Sequence, residues 1–276
     1  MKVGFIVPVK YLRLSLESDF HLILPHIVEE YPEYGKFYKK RIKAGDFVML
    51  DNSTFELGRP IDIEKQREIA YKLQVNEVVL PDFLGDSNKT LKNIEKTLST
   101  IYTNKDFSIA GVSQGKSFKS YINCFQQLIK IKEINTIGMP AIIDFPVKNM
   151  GWEVLSYMPQ TVLKRIYLIE YLHAEGIIDE LTKSRKQIHL LGSFDQIELY
   201  YYRIKGYDFI RSNDSSSAFI HGQRNIKYTT KGLPCKKIEE KIDFGCSNLT
   251  KSQLACVKHN MKMIKWFANG EEDKNE

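Results

Sequence analysis

The stretch Phe47-Val48-Met49-Leu50-Asp51-Asn52-Ser53-Thr54-Phe55-Glu56 runs from apolar residues into a carboxylate and then into small polar residues. An apolar run this short reads as a buried strand, and Asp51-Asn52-Ser53 reads as the loop at its C-terminal end. The pattern repeats along the chain. Val78-Val79-Leu80-Pro81-Asp82 ends in a carboxylate, Ile109-Ala110-Gly111-Val112-Ser113-Gln114-Gly115 in an amide, and His189-Leu190-Leu191-Gly192-Ser193 in a glycine turn. Tyr207-Asp208-Phe209-Ile210-Arg211-Ser212-Asn213-Asp214 ends in charged and polar groups. Polar residues at the C-terminal ends of successive buried strands form the active-site rim of a β/α barrel, so the expected protein is an enzyme.

Between these runs lie amphipathic stretches with apolar residues at helical spacing: Ile61 to Leu73, Thr90 to Ile101 and Phe118 to Ile131. Strand, helix and strand in this rhythm imply parallel βαβ units. No glycine-rich phosphate loop follows the first strand and no GxGxxG is present, which disfavours a dinucleotide fold. The expected fold is a TIM (β/α)8-type barrel over residues 1–222, with a C-terminal helical extension over 223–276 packed on it. The extension is rich in lysine. Its last helix, about Thr250 to Ala268, carries Leu254, Val257, Met261, Ile264 and Phe267 on one face, and the tail from Glu271 is expected to fray.

Composition narrows the class. With 276 residues, 43% hydrophobic and 27% charged, the chain reads as one soluble globular domain. No apolar run approaches a membrane span, and Met1 to Pro8 reads as a first strand rather than a signal peptide, so a cytoplasmic protein without a membrane partner is expected. Cys124, Cys235, Cys246 and Cys256 are irregularly spaced, as in reduced thiols rather than a disulfide framework. The formal charge of +6 permits a polyanionic partner without demanding one.

The ordered set Asp51-Asn52-Ser53-Thr54-Phe55, Leu80-Pro81-Asp82, Gly111-Val112-Ser113-Gln114-Gly115, Ile137-Gly138-Met139, Leu190-Leu191-Gly192 and Phe209 to Asp214 resembles the tRNA-guanine transglycosylase superfamily. The resemblance spans about residues 1–222 and is nearest to the phage-encoded DNA 7-deazaguanine transglycosylases, through Leu50-Asp51-Asn52, the following Glu56 and Arg211-Ser212-Asn213-Asp214-Ser215-Ser216. The opening Phe20 to His26, before a Tyr-rich helix at Tyr31 to Tyr38, fits the same branch.

The resemblance implies exchange of guanine in DNA for a 7-deazaguanine such as the 7-cyano form, through a covalent aspartyl-glycosyl intermediate. It implies Asp214 as nucleophile and Asp51 as general acid/base. Laid on the tRNA enzymes instead, Arg211 falls over their nucleophilic aspartate, and Asp208 is a further candidate. Asp82 and Gln114 match base-binding positions, with Asn52, Phe55, Gly138, Met139 and Gly192 completing the substrate site. Asp82 could instead cap a helix after Pro81, and Gln114 could be an ordinary loop amide. Arg211, Arg224 and Lys227 are candidate phosphate contacts. The tRNA enzymes hold zinc through closely spaced cysteines. Here Cys235, Cys246, Cys256 and His259 lack that spacing, so no cofactor is expected and zinc is the minor alternative.

The other readings are a tRNA-guanine transglycosylase, a non-catalytic barrel that binds nucleic acid, and an unrelated sugar- or phosphate-processing barrel. If the chain is virus-encoded, its expected place is the host cytoplasm.

Overall fold

The computed structural model describes residues 1–100, 107–141, 143, 160–192, 195–235, 238 and 240–270. Ser193 and the tail from Glu271 lie outside them. Eight parallel strands alternate with helices: β1 (Lys2–Phe5), β2 (His21–Ile23), β3 (Val48–Leu50), β4 (Glu77–Val79), β5 (Ser108–Val112), β6 (Thr136–Pro140), β7 (Gln187–Leu191) and β8 (Ile210–Ser215). They pair in the order β1-β8-β7-β6-β5-β4-β3-β2, which makes a nearly closed TIM barrel.

The seam between β1 and β2 is bridged by the chain just before β2. Val3 N–H donates to Asp19 Oδ2 at 2.8 Å, Asp19 N–H to Val3 O at 2.8 Å, and Phe5 N–H to Ser18 Oγ at 2.9 Å. Gly4 leaves the room that the Phe20 ring fills, since a Cβ there would stand 2.9 Å from that ring.

The helices form where the periodicity places them. α4 (Ile63–Leu73) is N-capped by the Asp62 carboxylate and buries Ile69, Ala70 and Leu73. α6 (Phe118–Lys130) opens with a Ser117/Ser120 capping box and buries Tyr121, Phe125 and Leu128. α11 (Lys251–Asn269) starts on a Thr250/Gln253 box and ends at Gly270 in the left-handed region, with Val257, Met261, Ile264 and Phe267 buried. It packs on α9 (Ile197–Ile204) and α10 (Ser217–Gly222). At Gly222 the approach is so close that a Cβ would meet the Val257 backbone at 2.6 Å.

The N-terminal end of the barrel is closed by a buried ionic plug. Glu77, wholly buried, accepts from Thr136 Oγ1 at 2.6 Å and from Arg211 Nη2 at 2.7 Å. Arg211 also donates to Thr136 Oγ1 at 3.0 Å and lies over the Phe47 ring.

Strand β8 reaches this geometry through a β-bulge. Ile210 pairs with Ile188 and Ser212 with His189, which leaves Arg211 as the extra residue. A bulge lets two successive side chains face one side, so Arg211 reaches Glu77 while Ser212 reaches His189. Arg211, expected at a phosphate, is therefore committed to Glu77 at the end of the barrel away from the rim. Asp208, expected one residue into the strand, lies in the turn before β8 at that same end.

Removing one partner of a buried ion pair leaves the other charge without compensation. Arg211→Met is expected to lower the unfolding free energy by about 3–5 kcal/mol, and adding Glu77→Gln to restore much of it, as read from urea melts. Unchanged stability of the single variant would refute the plug.

Candidate active site

The C-terminal ends of the strands gather a row of carboxylates. Asp51 directly follows β3, and its N–H donates to Ile23 O, which extends the β2–β3 ladder by one step. The chain then turns through Ser53 in the left-handed region, with φ 60°, before the short helix α3 (Thr54–Leu57). That turn points the Ser53 N–H at Asp51 Oδ2, 2.8 Å away. It is held from outside by His26, whose Nδ1 lies 2.7 Å from Ser53 Oγ. Gln66 of α4 ties the ends of β3 and β4 together by donating to Asp51 O and Val79 O, each at 2.8 Å.

Asp82, beyond β4, is buried and flanked by amides. Asn52 Nδ2 donates to its Oδ1 at 2.7 Å, and Gln114 Nε2 donates to its Oδ2. Thr54 Oγ1 donates to the Asp82 carbonyl. Gln114, beyond β5, accepts the Gly85 N–H through Oε1 at 3.0 Å. Asp82 caps no helix: the helix that follows β4, α5 (Ser87–Thr100), begins five residues later.

Asp214, near the end of β8 and buried, has one oxygen taken. Oδ1 accepts from His189 Nε2 at 3.2 Å and from the Gly192 N–H at 3.0 Å, and Oδ2 takes neither bond. The His189 ring is set by Ser212 Oγ on Nδ1 and by Phe20 edge-on at 5.7 Å.

The electrostatics follow from crowding like charges in an enclosed mouth. Enclosure by protein, then Glu56, Asp82 and Asp214, lift the Asp51 carboxyl well above the ordinary carboxylate range, against the Ser53 N–H bond. Enclosure and then the Asp214 charge push Glu56 up to about 7, against its own backbone hydrogen bond and Lys241. Glu56 Oε2 is buried without a hydrogen-bond partner. Burial raises Asp82 as well, against the amide bonds from Asn52 and Gln114. Burial lowers His26, against the Glu30 and Glu29 charges. Enclosure and the neighbouring carboxylates therefore favour the protonated form of Asp51. Among the described residues the two N–H donors that hold Asp214 both bond to Oδ1, and neither bonds to Oδ2.

The structure thus brings together Asp51, Asn52, Asp82, Gln114, Gly192 and Asp214. Gly138 lies on β6, where a Cβ would crowd Val112 and Leu191. The Met139 side chain is wholly buried, and its carbonyl accepts from Arg165. Phe55 is half exposed beside the cluster, with Lys241 Nζ 5.5 Å from its ring centre and bonded to the Glu56 carbonyl. Arg224 pairs with Glu240 and Lys227 is exposed; among the described residues neither contacts the carboxylates.

Four residues of the site had no assigned role in the sequence reading: His189, His26, Gln66 and Arg165. Arg165 and Gln66 carried one signal, a polar group on the apolar face of a helix.

For metal binding, His259 Nε2 is bonded to Tyr228 O, and burial raises the Cys246 and Cys256 thiols. Among the described residues no group of three His, Cys, Asp or Glu side chains is placed to hold an ion. No described helix is long and apolar enough to cross a membrane. Compared with known proteins, the chain matches no family model and no curated protein.

The Glu56 shift has a definite sign. Between its ordinary 4.5 and about 7, the unfolded chain has released a proton that the folded chain keeps, so stability falls as pH rises through that window. The fall for this group is of order 3 kcal/mol. Glu56→Gln is expected to be the more stable protein at pH 8 and to lose less stability between pH 5 and 8. Identical pH dependence of the two urea midpoints would contradict this.

Proposed function

We propose that this chain is a base-exchange transglycosylase that replaces guanine in DNA with a free 7-deazaguanine, Asp214 acting as nucleophile and Asp51 as general acid/base. The observation that carries the reading is the contrast between the two carboxyl groups at the ends of β3 and β8. Asp51 is driven towards its protonated form, whereas Asp214 is held through Oδ1 by two N–H donors. Such a contrast assigns acid and nucleophile in retaining glycosyl transfer.

In the first half-reaction Asp214 Oδ2 attacks C1′, the C1′–N9 bond breaks, and the leaving guanine takes the Asp51 proton. In the second, ionised Asp51 removes the N9 proton of the incoming base, whose nitrogen attacks C1′ and releases the Asp214 carboxylate. Two inversions give net retention, and every proton and electron pair returns to its starting place.

Asn52, Asp82 and Gln114 support the choice of base. A carboxylate such as Asp82 can accept from a purine N1–H and 2-amino group together, and Gln114 keeps a second N–H for O6. A stacked guanine cannot reach Asp214, so the target nucleotide must be turned out of the duplex. The half-exposed Phe55 ring and the net charge of +6 suit a stacked, anionic substrate.

Labelled guanine incubated with the purified chain and either duplex DNA or tRNA tests the proposal. Label is expected in DNA, to fall about 10²–10⁴-fold in Asp51→Asn and to vanish in Asp214→Ala. Label in tRNA alone would make the chain a tRNA enzyme. Label in neither, under conditions where guanine binds, would support a non-catalytic binding barrel.

A further inference from the structure

Arg165 of α7 (Gln160–Ala174) is almost wholly buried, yet it lies outside the barrel wall and touches none of the four carboxylates. Its guanidinium is fully engaged. On one side Nε and Nη2 grip both oxygens of buried Glu198, each at 2.6 Å, and Tyr202 Oη donates to the same carboxylate. On the other side Nη1 donates to Met139 O at 3.2 Å and Leu191 O at 3.1 Å, and Nη2 to Gly192 O at 2.9 Å. These are the penultimate carbonyl of β6, the last carbonyl of β7 and that of the turn residue after it.

Gly192 links this clamp to the site. Its carbonyl accepts from Arg165 and from Asn213 Nδ2, and its N–H donates to Asp214 Oδ1. The residue holds φ 68°, a conformation that side-chain-bearing residues rarely adopt. With both ends bonded, it has no freedom to swing its N–H away from the carboxylate.

We propose that Arg165 is a positioning residue: through Gly192 it fixes the orientation of Asp214 and so selects Oδ2 as the attacking oxygen. The inference rests on the transglycosylase reading for the identity of the reaction, and on the hydrogen-bond chain alone for the orientation of Asp214. A planar five-donor fork is needed here, because a lysine ammonium has three donors from one point and cannot serve the three carbonyls and the carboxylate together.

The test is Arg165→Lys in the full chain, with two readouts. The first is guanine exchange, separated into kcat and KM for the nucleic acid. The second is the nitrogen resonance of His189 Nε2, which shares Asp214 Oδ1 with Gly192. The expected result is kcat lower by about 100-fold, KM within about threefold, and a displaced His189 resonance. A folded variant with wild-type kcat or an unmoved His189 resonance would overturn the proposal.

If the wild-type protein exchanges no base, the transglycosylase reading has failed, and the His189 resonance by itself decides the role of Arg165. If Arg165→Lys does not fold, Gly192→Ala disturbs the same link through the strain of a side chain at φ 68°, and among the described residues its Cβ would meet only Ala141 Cβ, at 3.5 Å, rather than the buried pair. Unchanged kcat or an unmoved His189 resonance in that variant would equally overturn the proposal.

Discussion

Holding Asp51, Glu56, Asp82 and Asp214 in one enclosed mouth is the constraint that the surrounding structure answers. Like charges in a poorly solvated space repel, and each loses hydration that must be replaced. The barrel solves the same problem differently at its two ends. At the N-terminal end Glu77 receives an arginine and is electrostatically closed. At the C-terminal end no described lysine or arginine side chain forms an ion pair with Asp51, Glu56, Asp82 or Asp214. Amides, backbone N–H groups and His189 take that place, which leaves the Asp51 and Glu56 carboxyls raised.

Two backbone turns in the left-handed region carry much of this solution. Ser53 and Gly192 each follow a strand closely, each directs its N–H at a carboxylate, and each is braced by a residue from an outer element, His26 for one and Arg165 for the other. For Ser53 the backbone conformation costs on the order of 1 kcal/mol. The bond to His26 and the enclosure of its side chain offset that cost. Rigid placement of charge before substrate arrives is what makes such sites effective, because no reorganisation is then needed in the transition state.

Much of the architecture was legible because it rests on local patterns. The run into Asp51, the helices α4, α6 and α11, and the polar ends of β4 and β5 follow from period and chain length. The parts that were not legible depend on single-residue geometry or distant packing. Alternation along Ile210 to Asp214 cannot disclose the bulge at Arg211, and as the extra residue that arginine turns to Glu77, away from the rim on which Asp214 sits. The seam at β1 and β2 is closed by Ser18 and Asp19, whose loop positions carry no strand signal. Arg165 stands 49 residues before Asp214 in the sequence, and only its place among Val162, Ile166 and Ile169 on a buried helix face marked it.

The most direct measurement is the intact mass of the chain after rapid acid quench with a guanine-containing DNA duplex. The account predicts an adduct equal to the DNA strand less one guanine, bound at Asp214, released by added free guanine and lost in Asp214→Asn. Base exchange proceeding without such an adduct, or an adduct on another residue, would contradict it.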